Sequence, residues 1–233
     1  MEKVIVTLRA ETADDEWIDR LCGPVAAALT ELGVPGLTIN VRDAPVRNSL
    51  MTLTTLAPPV QALVSVWVQQ HYDEQMRRVM DMLEPVAEQL AAYLVTESVP
   101  MPPPPSPPGQ RAAGLANIAL LRRPAAMDES TWLTRWHRDH TPVAIATQST
   151  FGYVQNYVVR ALTDEAPALS AIVEELFPIE AAKSLHAFFG AADDADLNDR
   201  LGKMVVSTTA FGANVNIDTV PTGRYVFANP FAD

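Results

Sequence analysis

The sequence predicts an α+β protein that lays down one structural plan twice in a single chain. Three observations lead there. Strand-like and helix-like stretches follow the order β-α-β-β-α-β up to Val99. A proline-rich run, Pro100-Met-Pro-Pro-Pro-Pro-Ser-Pro-Pro108, interrupts the chain near its midpoint. The same order then recurs, with Gly23-Pro24-Val25-Ala26 matched by Thr141-Pro142-Val143-Ala144 and Trp17 matched by Trp132.

Each element has its own signal. Lys3–Leu8 is a strand by β-branched content. Asp14-Asp15-Glu16 opens a helix carrying Trp17, Leu21, Val25, Leu29 and Leu32, which Gly33 and Pro35-Gly36 stop. Leu37–Val41 alternates as a strand, and Arg42–Pro59 is irregular. In the strand Val60–Val68, Leu63, Ser65 and Trp67 face one way and Val64, Val66 and Val68 the other. Asp73 caps a helix holding Met76, Val79, Met80 and Leu83, and Leu90–Val99 is the fourth strand. The run Val99–Gly109 has no helix or ladder to offer and reads as an extended connector.

Beyond it, Leu115–Leu121 is a strand, Asp128–Thr147 a helix and Phe151–Ala161 a strand. Ala171–Phe177 is assigned as a strand because the repeat demands one and Pro178 ends it. Ile179–Phe189 is assigned as a helix, Asp193–Asp199 as a solvated acidic turn, and Val205–Val220 as a long strand. The order is that of the split βαβ or ferredoxin-like plan. The expected organisation is an N-terminal ferredoxin-like repeat (1–99) acting as scaffold, a linker (100–110), and a C-terminal repeat (111–233) carrying the site. Packed sheet to sheet, the two βαββαβ repeats would close a dimeric α+β barrel within one chain, burying the apolar faces that each half alone would expose.

Composition narrows the function. Hydrophobic residues are 48% of the 233 and charged residues 19%, enough for a large core and against disorder. The formal charge of 17 − 28 = −11 argues against nucleic-acid binding and against an anionic membrane surface. Cys22 is the one cysteine, which excludes an internal disulfide and fits a reduced, cytoplasmic setting. No run approaches the ~20 apolar residues of a membrane span. A monomer or homodimer acting on a small molecule is expected.

The stretch Asp128–Ala144 concentrates the chemistry. Trp132, Trp136 and His140 recur every four residues and so line one helix face. Such a face reads either as core ending in a satisfied histidine or as the wall of a site. The halves are not equivalent, which favours the second reading. The matching part of the first half, Arg20-Leu21-Cys22-Gly23, contains no histidine, and its second strand lacks the Tyr153, Gln155 and Tyr157 that share one face of Phe151–Ala161, with Asn156 on the other. His137 and His140 stand i, i+3 without a recognisable third ligand, so no metal is expected. His186 beside Phe188-Phe189 is a structural residue or an axial haem ligand. Gly190 and Gly212 are isolated and offer no cradle for the phosphates of a nucleotide cofactor.

The spacing Trp132-x3-Trp136-x3-His140 followed by Thr141-Pro142-Val143, the strand Tyr153-Val-Gln-Asn-Tyr157, and Glu175-Leu176-Phe177 together resemble the EthD-like family of dimeric α+β barrel proteins. The resemblance covers Leu115 to Val220; Ile172–Glu174 lacks an Asp-Gly pair that often precedes the family's Glu, and the first half is similar in plan only. It implies a cofactor-independent lyase, dehydratase, cyclase or isomerase acting on a hydrophobic, oxygenated substrate in a catabolic or secondary-metabolic pathway. In that reading His140 is the general acid/base, Tyr153 donates to a developing enolate, and Trp132, Trp136, His137, Gln155, Asn156 and Tyr157 contact substrate. The alternatives are a cofactor-free or haem-dependent monooxygenase and a non-catalytic ligand-binding protein.

Overall fold

A computed structural model describes residues 1–231. Eight strands form one closed antiparallel barrel: β1 (Glu2–Arg9), β2 (Gly36–Val41), β3 (Val60–Val68), β4 (Gln89–Met101), β5 (Leu115–Leu121), β6 (Gly152–Ala161), β7 (Ala171–Phe177) and β8 (Asp218–Ala228). Around the barrel the order is β1-β3-β2-β8-β5-β7-β6-β4. Each half therefore contributes four strands in equivalent order, β4-β1-β3-β2 and β8-β5-β7-β6.

Two long strands close the barrel. β4 pairs with β1 from Gln89 to Val95, and its later part pairs with β6 as far as Met101↔Tyr153. β8 does the same, pairing with β5 over Asp218–Thr222 and with β2 over Gly223–Ala228. Strand β4 thus runs two residues past the expected Val99 and into the proline-rich run. Beyond it the connector lies along β8, where Gly109 N–H donates to the Val226 carbonyl and Ala112 N–H to the Arg224 carbonyl.

Pleating sorts the strand residues into two layers. Ile5, Leu63, Tyr93, Ile118, Leu120 and Ile172 point into the barrel. Val4, Val6, Leu8, Ile39, Val64 and Val66 point out beneath the first half's helices, α1 (Asp15–Arg20), α2 (Ala26–Glu31) and α3 (Glu74–Leu83), and form a continuous aliphatic core there. A buried polar cluster breaks the barrel's apolar filling. Lys3 Nζ donates to Glu97 Oε2 (2.6 Å), Asn156 Oδ1 (2.8 Å) and Glu174 Oε1 (3.3 Å), and lies 4.7 Å from the Trp67 ring centroid. Burial opposes ionisation of Glu174, yet the charges of Lys3 and Arg224 and hydrogen bonds from Asn156 and Lys3 outweigh it and hold the carboxyl below its usual range.

The second half's helices differ from expectation. Asp128 caps α4 (Glu129–Leu133), but the helix widens to a π-helical segment, Thr134–His140, before α5 (Thr141–Thr147). The first half repeats this device at Leu21–Val25, between α1 and α2. In the first half Pro24 lies within the wide turn, and in the second Pro142 follows it in the first turn of α5; each lacks an N–H and so removes an α-helical hydrogen bond. Ile179–Phe189 is not one helix: a 3-10 turn (Ile179–Ala182) and a short α6 (Leu185–Phe189) are separated at Lys183, and Ser184 caps the latter.

The largest correction concerns Asp193–Val220. Asp193 is not in a solvated turn but caps α7 (Asp194–Phe211), which runs through Val205 to Phe211 and ends at left-handed Gly212. The expected strand Val205–Val220 begins only at Asp218. Helical spacing explains this: Met204, Thr208 and Phe211 are i, i+4 and i+7, while Asp194 and Asp196 sit where the helix dipole favours acid. The β-branched residues Val205, Val206, Thr208 and Thr209, and the alternation of Asn214, Asn216 and Asp218 with Val215 and Ile217, gave a strand-like local signal that this tertiary face overrides. Among the described residues no helix is long and apolar enough to cross a membrane.

Candidate active site

The antiparallel register brings three polar side chains into one row. Tyr153 on β6 stands opposite Glu175 on β7, and Glu175 stands opposite Asn117 on β5. Cross-strand neighbours have Cβ atoms about 5 Å apart, and all three project toward the helices. Over them lie Trp136 and His140 of the π-helical segment, Phe188 and Phe189 of α6, and Met204, Thr208 and Phe211 of α7. Between the layers is a cavity of about 190 Å³. Met51, from the irregular segment between β2 and β3, completes its wall. That segment is tied to the second half by Leu50 N–H donating to the Ala182 carbonyl and by the bridge between Leu53 and Thr219.

Burial sets the protonation states. His140 is 7% exposed, its Nδ1 is 2.9 Å from Ser207 Oγ, and its ring lies 4.8 Å from that of Phe211. Desolvation pushes its pKa down to about 4, so the imidazole is neutral near pH 7. Desolvation pushes Glu175 up to about 8, so its carboxyl is mainly protonated at the same pH. Gln148, with its amide turned to suit its neighbours, donates to Glu175 Oε1 (3.1 Å) and to the Ala144 carbonyl (3.3 Å). Burial, followed by the adjacent Glu175, raises the Tyr153 phenol.

Two buried polar atoms on cavity residues have no hydrogen-bond partner: Asn117 Oδ1 and Trp136 Nε1. The indole N–H is near enough to Tyr153 to favour its phenolate slightly, but makes no well-aligned hydrogen bond.

The remaining expected site residues lie around this cavity rather than in it. Trp132 is buried behind Trp136, with ring centroids 5.1 Å apart, and packs on Phe211. His137 sits edge-on to Trp136 at 4.2 Å. Gln155 Nε2 donates to Thr141 Oγ1 (2.8 Å), and Thr141 Oγ1 donates to the Trp136 carbonyl (3.0 Å), which braces the wide helical turn against β6. Tyr157 donates to Glu129 Oε1 (2.6 Å) at the helix start. Asn156, on the opposite face of β6, belongs to the Lys3 cluster inside the barrel. His186 does not reach the cavity; its Nε2 pairs with Asp194 Oδ1 (2.9 Å) near solvent. Among the described residues no group of three His, Cys, Asp or Glu side chains gathers to hold a metal.

Sequence reasoning left Glu175 and Asn117 out of the site. A signal for Glu175 was present: two adjacent carboxylates in the apolar strand Ala171–Phe177 must point to opposite faces. Glu174 meets Lys3 inside the barrel, while Glu175 meets no cation outside it.

No family model matches the chain, and no curated protein matches its sequence. Solved structures do resemble it. An anthrone oxidase-like protein aligns over 99% of this chain and 95% of its own, at 9% identity and TM-score 0.55. A putative monooxygenase from Lactobacillus acidophilus NCFM aligns over 97% and 96%, at 9% identity and TM-score 0.46. A dye-decolorizing peroxidase from Bacteroides thetaiotaomicron VPI-5482 aligns over 95% and 92%, at 10% identity and TM-score 0.48. At these identities the first likeness shows a shared fold across nearly the whole chain.

Proposed function

We propose that the chain is a small-molecule enzyme of the lyase, cyclase or isomerase type, built from two ferredoxin-like repeats of which the second is EthD-like. The observation that carries this reading is a neutral carboxyl, Glu175, and a neutral imidazole, His140, lining one small cavity with the Tyr153 phenol. The filled aliphatic core under the first half's helices supports a single site.

In this reading His140 takes a proton from carbon next to a substrate carbonyl, while Glu175 gives its proton to the carbonyl oxygen. The C–H electron pair becomes the enol double bond, and a histidinium–carboxylate pair remains in the cavity. Return of a proton at another carbon gives an isomer; loss of a leaving group from the enol gives elimination. An imidazole with a pKa of about 4 is a weak base, so the step depends on neutralising the oxygen at the same moment, which is the role of Glu175 and Tyr153. Glu175, closer to neutral pH, is the better-matched proton carrier of the two.

Solvent exchange tests this without knowledge of the natural substrate. Small cyclic enones in D2O should gain deuterium at the saturated carbon flanking the carbonyl and at the vinylogous γ carbon, followed by NMR. Glu175→Gln and His140→Ala should each slow exchange by about 10^2-fold or more. Equal exchange by folded parent and variants overturns the proposal. Binding of enones without exchange would instead favour an accessory ligand-binding protein.

Oxygenation is the second reading, favoured by the fold likeness to the anthrone oxidase-like protein. Its haem-dependent form fits poorly: His186 is engaged by Asp194, and the 190 Å³ cavity is below the ~300 Å³ lower end of drug-sized pockets. The cofactor-free form would use the same cavity.

A further inference from the structure

We infer that this cavity selects a neutral, single-ring phenol or cyclic enol and discriminates against carboxylates, with Asn117 as the specificity-determining residue that accepts a hydrogen bond from the ligand's hydroxyl. The inference rests on the preceding reading only in taking the cavity as the ligand site. Four features carry it.

The first is size. A cavity of about 190 Å³ is slightly larger than the ~150 Å³ engineered cavity that holds a benzene ring. One ring with a small substituent fills it. The second is lining. Met51, Phe188, Phe189, Met204, Phe211 and Ile217 offer aromatic, thioether and aliphatic surface to the faces and edge of such a ring.

The third feature is the pair of unmet polar atoms. Asn117 is 3% exposed and Trp136 fully buried, yet Asn117 Oδ1 lacks a donor and Trp136 Nε1 lacks an acceptor. A ligand hydroxyl donates a hydrogen bond to Asn117 Oδ1, and a ligand oxygen can accept one from the Trp136 N–H. An ether, a hydrocarbon or an aprotic ketone leaves Asn117 unmet. The position beside Glu175 in the register means that an oxygen protonated there is within the same polar row as its acceptor.

The fourth is charge. No Lys or Arg lines the cavity, and its one carboxyl already sits without a cation. A carboxylate ligand would lose its water for no countercharge and face a second carboxyl group. A neutral ring with a hydroxyl meets no such penalty. A phenol is also a stable mimic of the enol that the proposed chemistry forms.

The test compares three one-ring probes on the full chain by calorimetry or NMR: 4-methylphenol, toluene and 4-methylbenzoate. The phenol should bind at least tenfold more tightly than toluene and than the benzoate. Asn117→Leu, close in shape but without an acceptor, should bring the phenol down to the toluene level and leave toluene binding unchanged, which also reports that the cavity is intact. Asn117→Val, better suited to a strand, serves if the leucine variant does not fold, with the same expectation. Benzoate binding as tight as the phenol, an unchanged phenol preference in the variant, or no binding of phenol or toluene to the folded parent overturns the inference. Its fate is separable from that of the enzymatic reading. Phenol selection with no deuterium exchange leaves this inference standing and sinks the proton-transfer proposal. Glu175-dependent exchange on a carboxylate substrate does the reverse.

Discussion

Glu175 and His140 are shifted in opposite directions by the same cause, burial, and their effects on stability have opposite signs. Glu175 rises from 4.5 to about 8, so the folded chain holds a proton that the unfolded chain has lost. Its contribution is fully present below pH 4.5 and is lost as pH climbs toward 8. His140 falls from 6.5 to about 4, so its contribution is present above pH 6.5 and is lost as pH drops toward 4. Between pH 4.5 and 6.5 the two slopes oppose; from 6.5 to 8 the Glu175 slope stands alone. Thermal melts should therefore show stability falling across pH 6.5–8, by up to about 2 kcal/mol at 1.36 kcal/mol per pH unit. Glu175→Gln should flatten that limb. A parent whose melting temperature is level from pH 6.5 to 8 would place the Glu175 pKa well below 8. Trp132 offers a contrasting residue. It is 1% exposed and packs on Trp136 and Phe211 without lining the cavity, so Trp132→Ala should cost about 3–5 kcal/mol in denaturant unfolding, with any activity loss following stability.

Among the elements, α7 and the wide helical turn hold the site's upper layer. Ser207 of α7 meets His140, and Phe211 of the same helix packs tilted against its ring. The helix is begun by Asp193, whose side chain accepts from Asp196 N–H. Asp193→Ala should destabilise the chain by about 1 kcal/mol and raise amide exchange in the first turns of α7. Pro142 follows the wide turn Thr134–His140 at the start of α5, and Gln155 and Thr141 brace that turn against β6. The repeat of this feature at Pro24 was legible as a four-residue match between halves. That the match marked a π-helical turn was not, because its dimension depends on the sheet against which it is braced. The same limit produced the error over Asp193–Val220. A local run of β-branched residues carries a strand signal, and only the packing of Met204, Thr208 and Phe211 on one face decides for helix.

The whole molecule is a barrel closed by strands that each serve both halves. Its interior is sealed by the Lys3 cluster, where one buried ammonium meets Glu97, Glu174 and Asn156. Lys3→Met removes the ammonium that Glu97 and Glu174 share, leaving Glu97 half-buried without it and Glu174 with only the charge of Arg224 nearby, and should cost about 3–5 kcal/mol, whereas pairing it with Glu174→Leu should recover part of that loss in a double-mutant cycle. Closure also predicts the behaviour of the parts. A chain ending near residue 110 would expose Ile5, Leu63 and Tyr93 together with the free edges of β2 and β4. It should self-associate when expressed alone and become 1:1 when mixed with the remaining half, as read by light scattering.

Strand alternation, the midpoint proline run and the cap at Asp73 were legible in the sequence alone, because they act over distances of a few residues. So was the asymmetry that placed the polar residues in the second half. Tertiary structure alone decided which of them meet. It set Tyr153, Glu175 and Asn117 in one row through the register of three strands, sent Asn156 into the barrel, and carried Met51 across from the other half. The physical reason is that a buried group's chemistry depends on what replaces its water. For Glu175 that was no cation and for Glu174 it was Lys3, a difference between neighbours in sequence that arises from residues more than a hundred positions away.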